Sequence, residues 1–348
     1  MSLVAMNAEH PLRKTLRIIL VSITIMALAS LLIVFTIRML ASTETPKVGG
    51  LELHKQPVPV RNSSQAGTFM RLKNIRFRLS DHIEMLVYEL NAEAIPKKPL
   101  TQVNFDDVNS FSIDIYQGQV DISTRVMEYI FNNMVLNYKG APVRNMKIST
   151  IRNKSNEYRL KVTGESKIVF WIPFEMIARL KLNKKRVLME MHAETIKSLG
   201  NPYTKQIMKS LGLKLDQLFK VADGRGIEVI ENRIIISPFA LFPPPRIGGY
   251  IKDLEIKDGA LRISFENSFK PEFPALDSSF KNYIQLYKGD VRFGKLTMID
   301  ANMTMVDNDS RDPFDFYLKE YYKAIARGTA RIKRDFSITA FLPDYSDL

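Results

Sequence analysis

The residue types that most often carry catalysis or bind metals are scarce in this chain. It has no cysteine, and its histidines are His10, His54, His82 and His192. His192 alternates with apolar residues of a predicted strand and lies near Glu190 and Glu194, which favours a solvated strand face over a metal site or an acid/base pair. His82 follows Ser80-Asp81 in a predicted turn.

One acidic cluster, Asp307, Asn308, Asp309 and Asp312, resembles the start of a calcium-binding loop. It lacks the later glycine and the distant bidentate glutamate that such a loop requires, and therefore indicates a turn followed by a helix cap. The chain also has no Gly-x-Ser-x-Gly elbow, no His-Glu-x-x-His helix and no Walker loop. We therefore expect no catalytic residues, no metal site, no cofactor and no enzymatic activity.

The chain carries a long apolar run near its N-terminus. Residues Ile18 to Ile37 are uncharged, and at 1.5 Å per residue a helix of about 20 residues crosses roughly 30 Å of hydrocarbon. A cleaved signal peptide has a shorter apolar region and small residues before its cleavage site, whereas Met39 stands in this exit sequence. An uncleaved anchor is the favoured interpretation over a signal peptide or a buried core helix.

Basic residues predict the orientation of this anchor. Arg13, Lys14 and Arg17 precede the run and only Arg38 follows it closely, which favours a cytoplasmic N-terminus. The sequence thus predicts a cytoplasmic segment at 1–17, a transmembrane anchor at 18–40 and a Pro- and Ser-containing linker at 41–67. We expect a single-pass inner-membrane protein with its C-terminal domain in the periplasm.

Net charge limits the class of partner. The chain carries +13, and because five basic and two acidic residues lie within 1–47, +10 belongs to the later part. Outside the cytoplasm such a field favours anionic lipid headgroups, although dispersed charge of a basic proteome would also account for it. No segment combines clustered basic residues with stacking aromatics, so nucleic acid is not an expected partner.

Beyond the linker, apolar and polar residues alternate with period two. Examples are Ile75 to Leu79, Phe111 to Ile115 and Tyr158 to Val162, which predict half-buried strands. Asp258-Gly259 predicts a type I′ hairpin turn. We expect a β-rich domain at 68–266 and a C-terminal extension at 267–348 packed on it. The extension is expected to hold a hairpin of Val291 to Leu296 with Ala301 to Met305, followed by a helix.

Helical periodicity is confined to a few segments. Ile122, Val126, Ile130 and Met134 recur every fourth residue, with Ser123 as N-cap. A shorter helix is predicted over Tyr203 to Leu211, and another from Asp312-Pro313 to Gly328. The predicted fold class is α+β: an N-terminal transmembrane helix followed by a strongly curved antiparallel sheet wrapped around a long amphipathic helix.

Two predicted strands are apolar on both faces, namely Ile168 to Ile172 and Ile234 to Ile236, although antiparallel sheets usually expose one face to water. A helix held inside a curved sheet would cover the second face. Such an arrangement either leaves a groove for an acyl chain or forms a filled core. The sequence leaves both interpretations open.

Several segments resemble the tubular lipid-binding superfamily, which includes the bactericidal/permeability-increasing proteins, and more closely its bacterial membrane-anchored envelope members. The similar segments are Phe111 to Asn133, Lys139 to Arg144, Trp171 to Phe174, Ile227 to Pro245, Phe293 to Met298 and Asp312 to Phe316. The main resemblance extends over Leu72 to Phe265 and contains no catalytic motif.

The resemblance implies a long helix wrapped by a curved sheet, with a channel for lipid tails. Candidate lipid-binding residues are Val126, Ile130, Met134, Phe170 and Ile172. The expected function is lipid binding or lipid transfer at the membrane, without catalysis. The alternative is a structural or accessory subunit that scaffolds a larger inner-membrane complex through its anchor and surface.

Overall fold

A computed structural model of the protein describes residues 67–98, 101–167, 171–183, 188–198, 215, 221 and 224–348. All of them belong to the second of two compact units, residues 51–348. The predicted cytoplasmic segment, the anchor, most of the linker and the predicted helix at Tyr203 to Leu211 lie outside the described residues. Within the described ranges, no helix has the length and apolar character needed to span a bilayer.

Strands dominate the part of the chain that the structure describes. They are β1 (Thr68–Ser80), β2 (Ile83–Pro96), β3 (Val103–Asn104), β4 (Phe111–Ser123), β5 (Val143–Arg152), β6 (Tyr158–Lys167), β7 (Trp171–Asn183), β8 (Leu188–Ser198), β9 (Ile227–Ile230), β10 (Arg233–Ile236), β11 (Arg246–Gly249), β12 (Ile251–Lys257), β13 (Ala260–Glu266), β14 (Tyr283–Tyr287), β15 (Val291–Phe293), β16 (Leu296–Met298), β17 (Asn302–Asp307), β18 (Phe314–Tyr317), β19 (Thr329–Ile332) and β20 (Ile338–Leu342). The α-helices are α1 (Thr124–Ile130) and α2 (Tyr321–Arg327). A π-helical turn (Phe131–Val135) continues α1, and short 3₁₀ turns occupy Pro238–Leu241 and Tyr345–Asp347.

The largest sheet has the strand order β12-β13-β4-β2-β1-β14-β17-β20-β19. Two further strands pair in parallel with its long central strands, β11 with β4 and β18 with β1. Residues 267–348 therefore contribute five strands to the same sheet as residues 68–123. β17 and β20 are also parallel, so the sheet is mixed.

A second sheet has the order β5-β6-β7-β8-β10-β9 and is antiparallel throughout. A third, small sheet joins β16, β15 and β3. Side chains of the first and second sheets, such as Ile75 and Met176, belong to one apolar core. The expected alternation is present in β1, where Ile75, Phe77 and Leu79 are buried and the arginines between them are not.

The predicted α+β fold with a long amphipathic helix inside the sheet is wrong. The described residues are mostly β, and the Ile122-to-Met134 stripe is divided among three elements. Ile122 lies in β4 and pairs with Leu261, α1 begins after the Ser123 cap, and the chain becomes π-helical after Ile130. A spacing of four residues satisfies both the period of a strand and that of a helix, so the stripe does not distinguish them.

The predicted C-terminal helix is shorter than expected and begins later. Phe314–Tyr317 forms β18, parallel to β1, and only Tyr321–Arg327 is helical. All four β18 side chains are buried, including Asp315, which binds Arg78. Aromatic residues favour a half-buried or fully buried strand, and this pairing overrides the helix-start signal of Asp312-Pro313.

The predicted hairpin at Asp258-Gly259 is present, with Lys257 opposite Ala260. Only Gly259 has a positive φ, 66°; type I′ requires both central residues there, so the turn is of another type. In the extension, Val291–Phe293 pairs with Leu296–Met298, while β17 pairs with β14 and β20. The predicted pairing of Val291 to Leu296 with Ala301 to Met305 is therefore not observed.

Candidate functional site

The α1 helix and its π-helical turn link the two large sheets, because β4 precedes them and β5 follows. The Ser123 side chain caps α1 by accepting a hydrogen bond from the backbone N–H of Val126 at 3.2 Å. At the π-turn, Asn132 Nδ2 donates to the carbonyls of Glu128 (3.0 Å) and Met146 (2.8 Å), and Asn132 Oδ1 accepts from the Met146 N–H (3.0 Å). A side chain inserted in this way perturbs the helical ladder and fixes the turn against β5.

Glu128 makes a second connection between α1 and β5. Its Oε1 accepts from Lys147 Nζ at 2.7 Å, and its Oε2 accepts from the Ile148 N–H at 3.3 Å. Beside these connections, Phe131, Val135 and, after the turn, Leu136 are all buried in the core.

These side chains line an apolar cleft against the second sheet. Its lining residues are Phe131, Val135, Leu136, Met146, Ile148, Val162, Met176, Met191, Val221, Ile227, Val229 and Ile234. The strand register brings these lining residues together, since Ile148 lies opposite Val162 and Val162 lies opposite Met176. Farther along the sheet, Ile234 lies opposite both Met191 and Val229. Each of the six strands therefore contributes to the cleft.

The apolar cleft is nearly filled by its own side chains. Its empty space is about 20 Å³, room for about one water molecule, and its lining is apolar. Three of the lining residues, Met146, Met176 and Met191, are methionines. Methionine is unbranched and adopts alternative packings readily, so these three side chains are the ones whose movement would enlarge the cleft.

A polar depression of about 420 Å³ lies beside the cleft. It is lined by Asn132, Leu136, Val143, Arg144, Asn145, Met146 and Lys147, and is called the basic depression below. Leu136 and Met146 line both spaces. These two side chains thus form a shared wall between an apolar interior and a basic surface.

A β-bulge shapes the basic depression. The β5–β6 register shifts between Arg144 and Lys147, and Asn145 has a φ of 54°. Bulges change the direction of side chains locally and are common beside functional sites. Asn is among the residues that tolerate this left-handed conformation best.

Ion pairs hold the basic side chains in place without burying them. Arg144 Nε lies 2.7 Å from Glu165 Oε2, and the Arg144 guanidinium stacks 4.1 Å from the centre of the Trp171 ring. The Arg144 hydrogen bond lowers the pKa of Glu165. Arg144 and Lys147 keep about half and three quarters of their side-chain surface exposed, and therefore remain accessible to an anion.

A third basic residue closes the helical segment at its C-terminal end. Arg225 Nη1 donates to the Met134 carbonyl at 2.9 Å, and its guanidinium lies 5.3 Å from the Tyr138 ring centre. Arg225 thereby satisfies a carbonyl at the end of the π-turn, where intrahelical partners are lacking.

The sequence-predicted site residues lie close to this cleft but do not form its described lining. Val126 and Ile130 are buried in the core on α1, and Ile172 is buried on β7. Met134 is half-buried on the π-turn and packs against the core. Phe170 lies outside the described residues. The lining residue Met176 lies on the same face of β7 as Ile172 and Phe174, so extending that alternation would have located it.

Groups that could carry other chemistry have structural partners. His192 Nε2 lies 3.1 Å from Glu190 Oε2, which also approaches Arg233, and His82 packs on Tyr129. Asn183 donates to Glu190 and lowers its pKa. Within the described residues, no three His, Cys, Asp or Glu side chains are arranged to hold a metal ion.

Comparisons of the chain with models of protein families, with curated proteins and with solved structures found no match.

Proposed function

We propose that the protein binds an anionic lipid, with an acyl chain in the apolar cleft and the headgroup at the basic depression. The observation that carries the proposal is the shared wall of Leu136 and Met146. An amphiphile needs an apolar space and a polar, oppositely charged space in direct continuity, and this wall is where the two spaces meet. Each buried methylene would contribute about 0.8 kcal/mol.

Binding requires the cleft to open, because its present empty space is about 20 Å³. The methionine side chains and the π-turn are the elements that would rearrange. In this proposal the apolar run at Ile18 to Ile37 anchors the protein in the inner membrane, and the domain exchanges lipid with that bilayer from the periplasmic side. No covalent step is involved.

A second candidate function is supported by the same small volume. A nearly filled cleft is also what a structural or accessory subunit would have, with the core serving only stability. Such a subunit would use its anchor and surface to hold a larger inner-membrane complex together.

Analysis of bound lipid distinguishes the two functions. The full chain is purified from membranes and examined by native mass spectrometry, followed by extraction and identification of the lipid. We expect one lipid per chain. An Arg144→Glu/Lys147→Glu variant should lose roughly tenfold or more in retention of anionic lipid, because each basic residue near an anionic headgroup contributes about 1 kcal/mol.

The matched control is Arg152→Glu, an exposed charge reversal at the other end of β5. It should leave lipid retention unchanged, because Arg152 does not line the basic depression. Absence of bound lipid from the unmodified chain, or equal retention by all variants, would refute the proposal. A stable co-purifying membrane complex without bound lipid would support the accessory function instead.

A further inference from the structure

Three large apolar side chains outside the cleft are almost fully exposed. Phe336 has 85% of its surface exposed, Ile299 has 82% and Ile332 has 70%. Single exposed apolar residues are ordinary on protein surfaces. These three therefore indicate an interaction surface only if they lie at one place on the fold.

The strand register places them at one end of the largest sheet. β17 and β20 run parallel with Met303 opposite Ile338, and Ile338 also lies opposite Ile332 of β19. Ile299 comes just before β17 and Phe336 just before β20. All three apolar residues therefore project from the end at which β17 and β20 begin.

The described chain enters the sheet at this same end. Phe69, near the start of β1, lies opposite Tyr287, which lies opposite Asn302 at the start of β17. Only β14 and β17 separate β1 from β20, a distance of about 15 Å at the usual spacing of strands. The chain that precedes residue 67 includes the apolar run Ile18 to Ile37.

The hairpin that carries Phe336 is held in a defined conformation. Asp335 Oδ1 accepts from the Ser337 N–H and hydroxyl at 3.1 and 2.7 Å, and Lys333 and Ser337 are joined by a backbone hydrogen bond of 3.0 Å. Phe336 has a φ of 60°, which is unfavourable for a bulky residue. The turn thus presents a strained aromatic residue to solvent, where it makes little contact with the protein.

Charged residues of both signs surround the apolar ones. Lys288, Lys333 and Arg334 are exposed at this end. Asp290, Asp300 and Asp335 are exposed at this end as well. Asp335 Oδ1 accepts from the Ser337 hydroxyl, and Asp290 Oδ1 accepts from the Asp300 N–H at 3.1 Å. Lys333 also lies within electrostatic range of Asp277. The combination of an exposed aromatic, exposed aliphatics and lysine or arginine is typical of surfaces that enter a lipid headgroup region.

We propose that this end of the sheet docks onto the surface of a bilayer containing anionic lipid. Its contact residues, the entry rim, are Lys288, Ile299, Ile332, Lys333, Arg334 and Phe336. The rim is made of turns and a hairpin end that project outward, which suits insertion among headgroups. The predicted anchor precedes the strand that enters the sheet here, so attachment of the chain to a bilayer would give the rim a high effective concentration at that surface. This inference depends on the predicted anchor and not on lipid binding in the apolar cleft.

The chain contains no cysteine, so single probes can be introduced without removing native residues. Phe336→Cys, Ile332→Cys and Ile299→Cys would each carry an environment-sensitive fluorophore on the full chain. Ser310→Cys is the matched control, because Ser310 is exposed and follows the opposite end of β17. Each protein is reconstituted in vesicles of phosphatidylcholine alone or mixed with phosphatidylglycerol, and is also measured without vesicles.

We expect the three rim probes to shift their emission to shorter wavelength in vesicles, most strongly with phosphatidylglycerol, while the Ser310 probe does not shift. Lys333→Glu/Arg334→Glu, both exposed, should abolish the dependence on phosphatidylglycerol without unfolding the domain. Rim probes that match the Ser310 probe in both vesicle types would overturn the proposal. A shift that occurs without vesicles and grows with protein concentration would also overturn it, and would indicate docking of a second copy. Neither result alters the amount of lipid extracted in the retention experiment, so the two proposals fail independently.

Discussion

Asp344 is a carboxyl group that the fold stabilises in its neutral form. It is 7% exposed, and its Oδ1 accepts from the backbone N–H of Asp315 at 2.6 Å. Burial, followed by the neighbouring carboxylates Asp307, Asp312 and Asp315, raises the pKa of Asp344 from 3.8 to about 6. Arg78 is bound to Asp315 at 2.5 and 2.8 Å and therefore does not neutralise Asp344 directly.

The sign of the resulting pH dependence follows from this raised pKa. Between about pH 4 and pH 6 the native protein holds a proton at Asp344 that the unfolded chain releases, so stability falls as pH rises through this range. A shift of about two units corresponds to at most about 3 kcal/mol. An asparagine keeps the oxygen that accepts from Asp315 but carries no charge. Asp344→Asn should therefore increase the free energy of unfolding at pH 7.5 by up to about 3 kcal/mol and change it little at pH 4.

Urea unfolding of the full chain at these two pH values measures the effect. The control is Asp309→Asn, because Arg311 lowers the pKa of Asp309 and neutralisation there should give no gain at pH 7.5. Equal destabilisation by Asp344→Asn at both pH values would refute the reasoning. It would mean that the charged carboxylate stabilises the fold through the Asp315 N–H.

Two further substitutions test local features. Asn132→Ala should lower the free energy of unfolding by about 2–3 kcal/mol in thermal or urea unfolding, because it leaves the backbone N–H and C=O of Met146 without their partner. The control Asn133→Ala loses one exposed hydrogen bond to the Tyr129 carbonyl and should lower it far less. Equal losses in the two variants would contradict the role of Asn132. Phe336→Asn should stabilise the fold by about 1 kcal/mol, since asparagine accepts the left-handed conformation and the lost packing is small; a loss of stability would show that Phe336 is held by the fold rather than strained by it.

Local patterns predicted the strands well but not their partners. The alternation in β1 and in Tyr158 to Val162 reflects one solvent-exposed face and one buried face of each strand. Such alternation can be recognised from adjacent residues alone. The parallel pairing of β18 with β1 is different, because it joins residues far apart in sequence. No local pattern encodes which distant strand completes a ladder, and Phe314–Tyr317 was therefore predicted as helix.

The candidate site shows the same limit. Ser123 was predicted as an N-cap from its residue type, and the structure confirms it. The cleft lining depends instead on cross-strand register, which brings Ile148, Val162 and Met176 into one row. Register is set by the bulge at Arg144 to Lys147 and by the turns, and these do not appear in hydrophobic periodicity.

The pairing of β1 with β14 has a consequence for how the protein is made. Asn74 donates a hydrogen bond to Asn282, which follows it by 208 residues in the sequence. On the edge of β1 that does not face β2, the second half of the strand pairs with β18, which comes later still. During synthesis, this edge of β1 must stay unpaired until residues 283–317 have been made. Such non-local closure slows folding and leaves an aggregation-prone edge exposed in the meantime. Nascent chains that stop before residue 283 should therefore be recognised by chaperones and proteases.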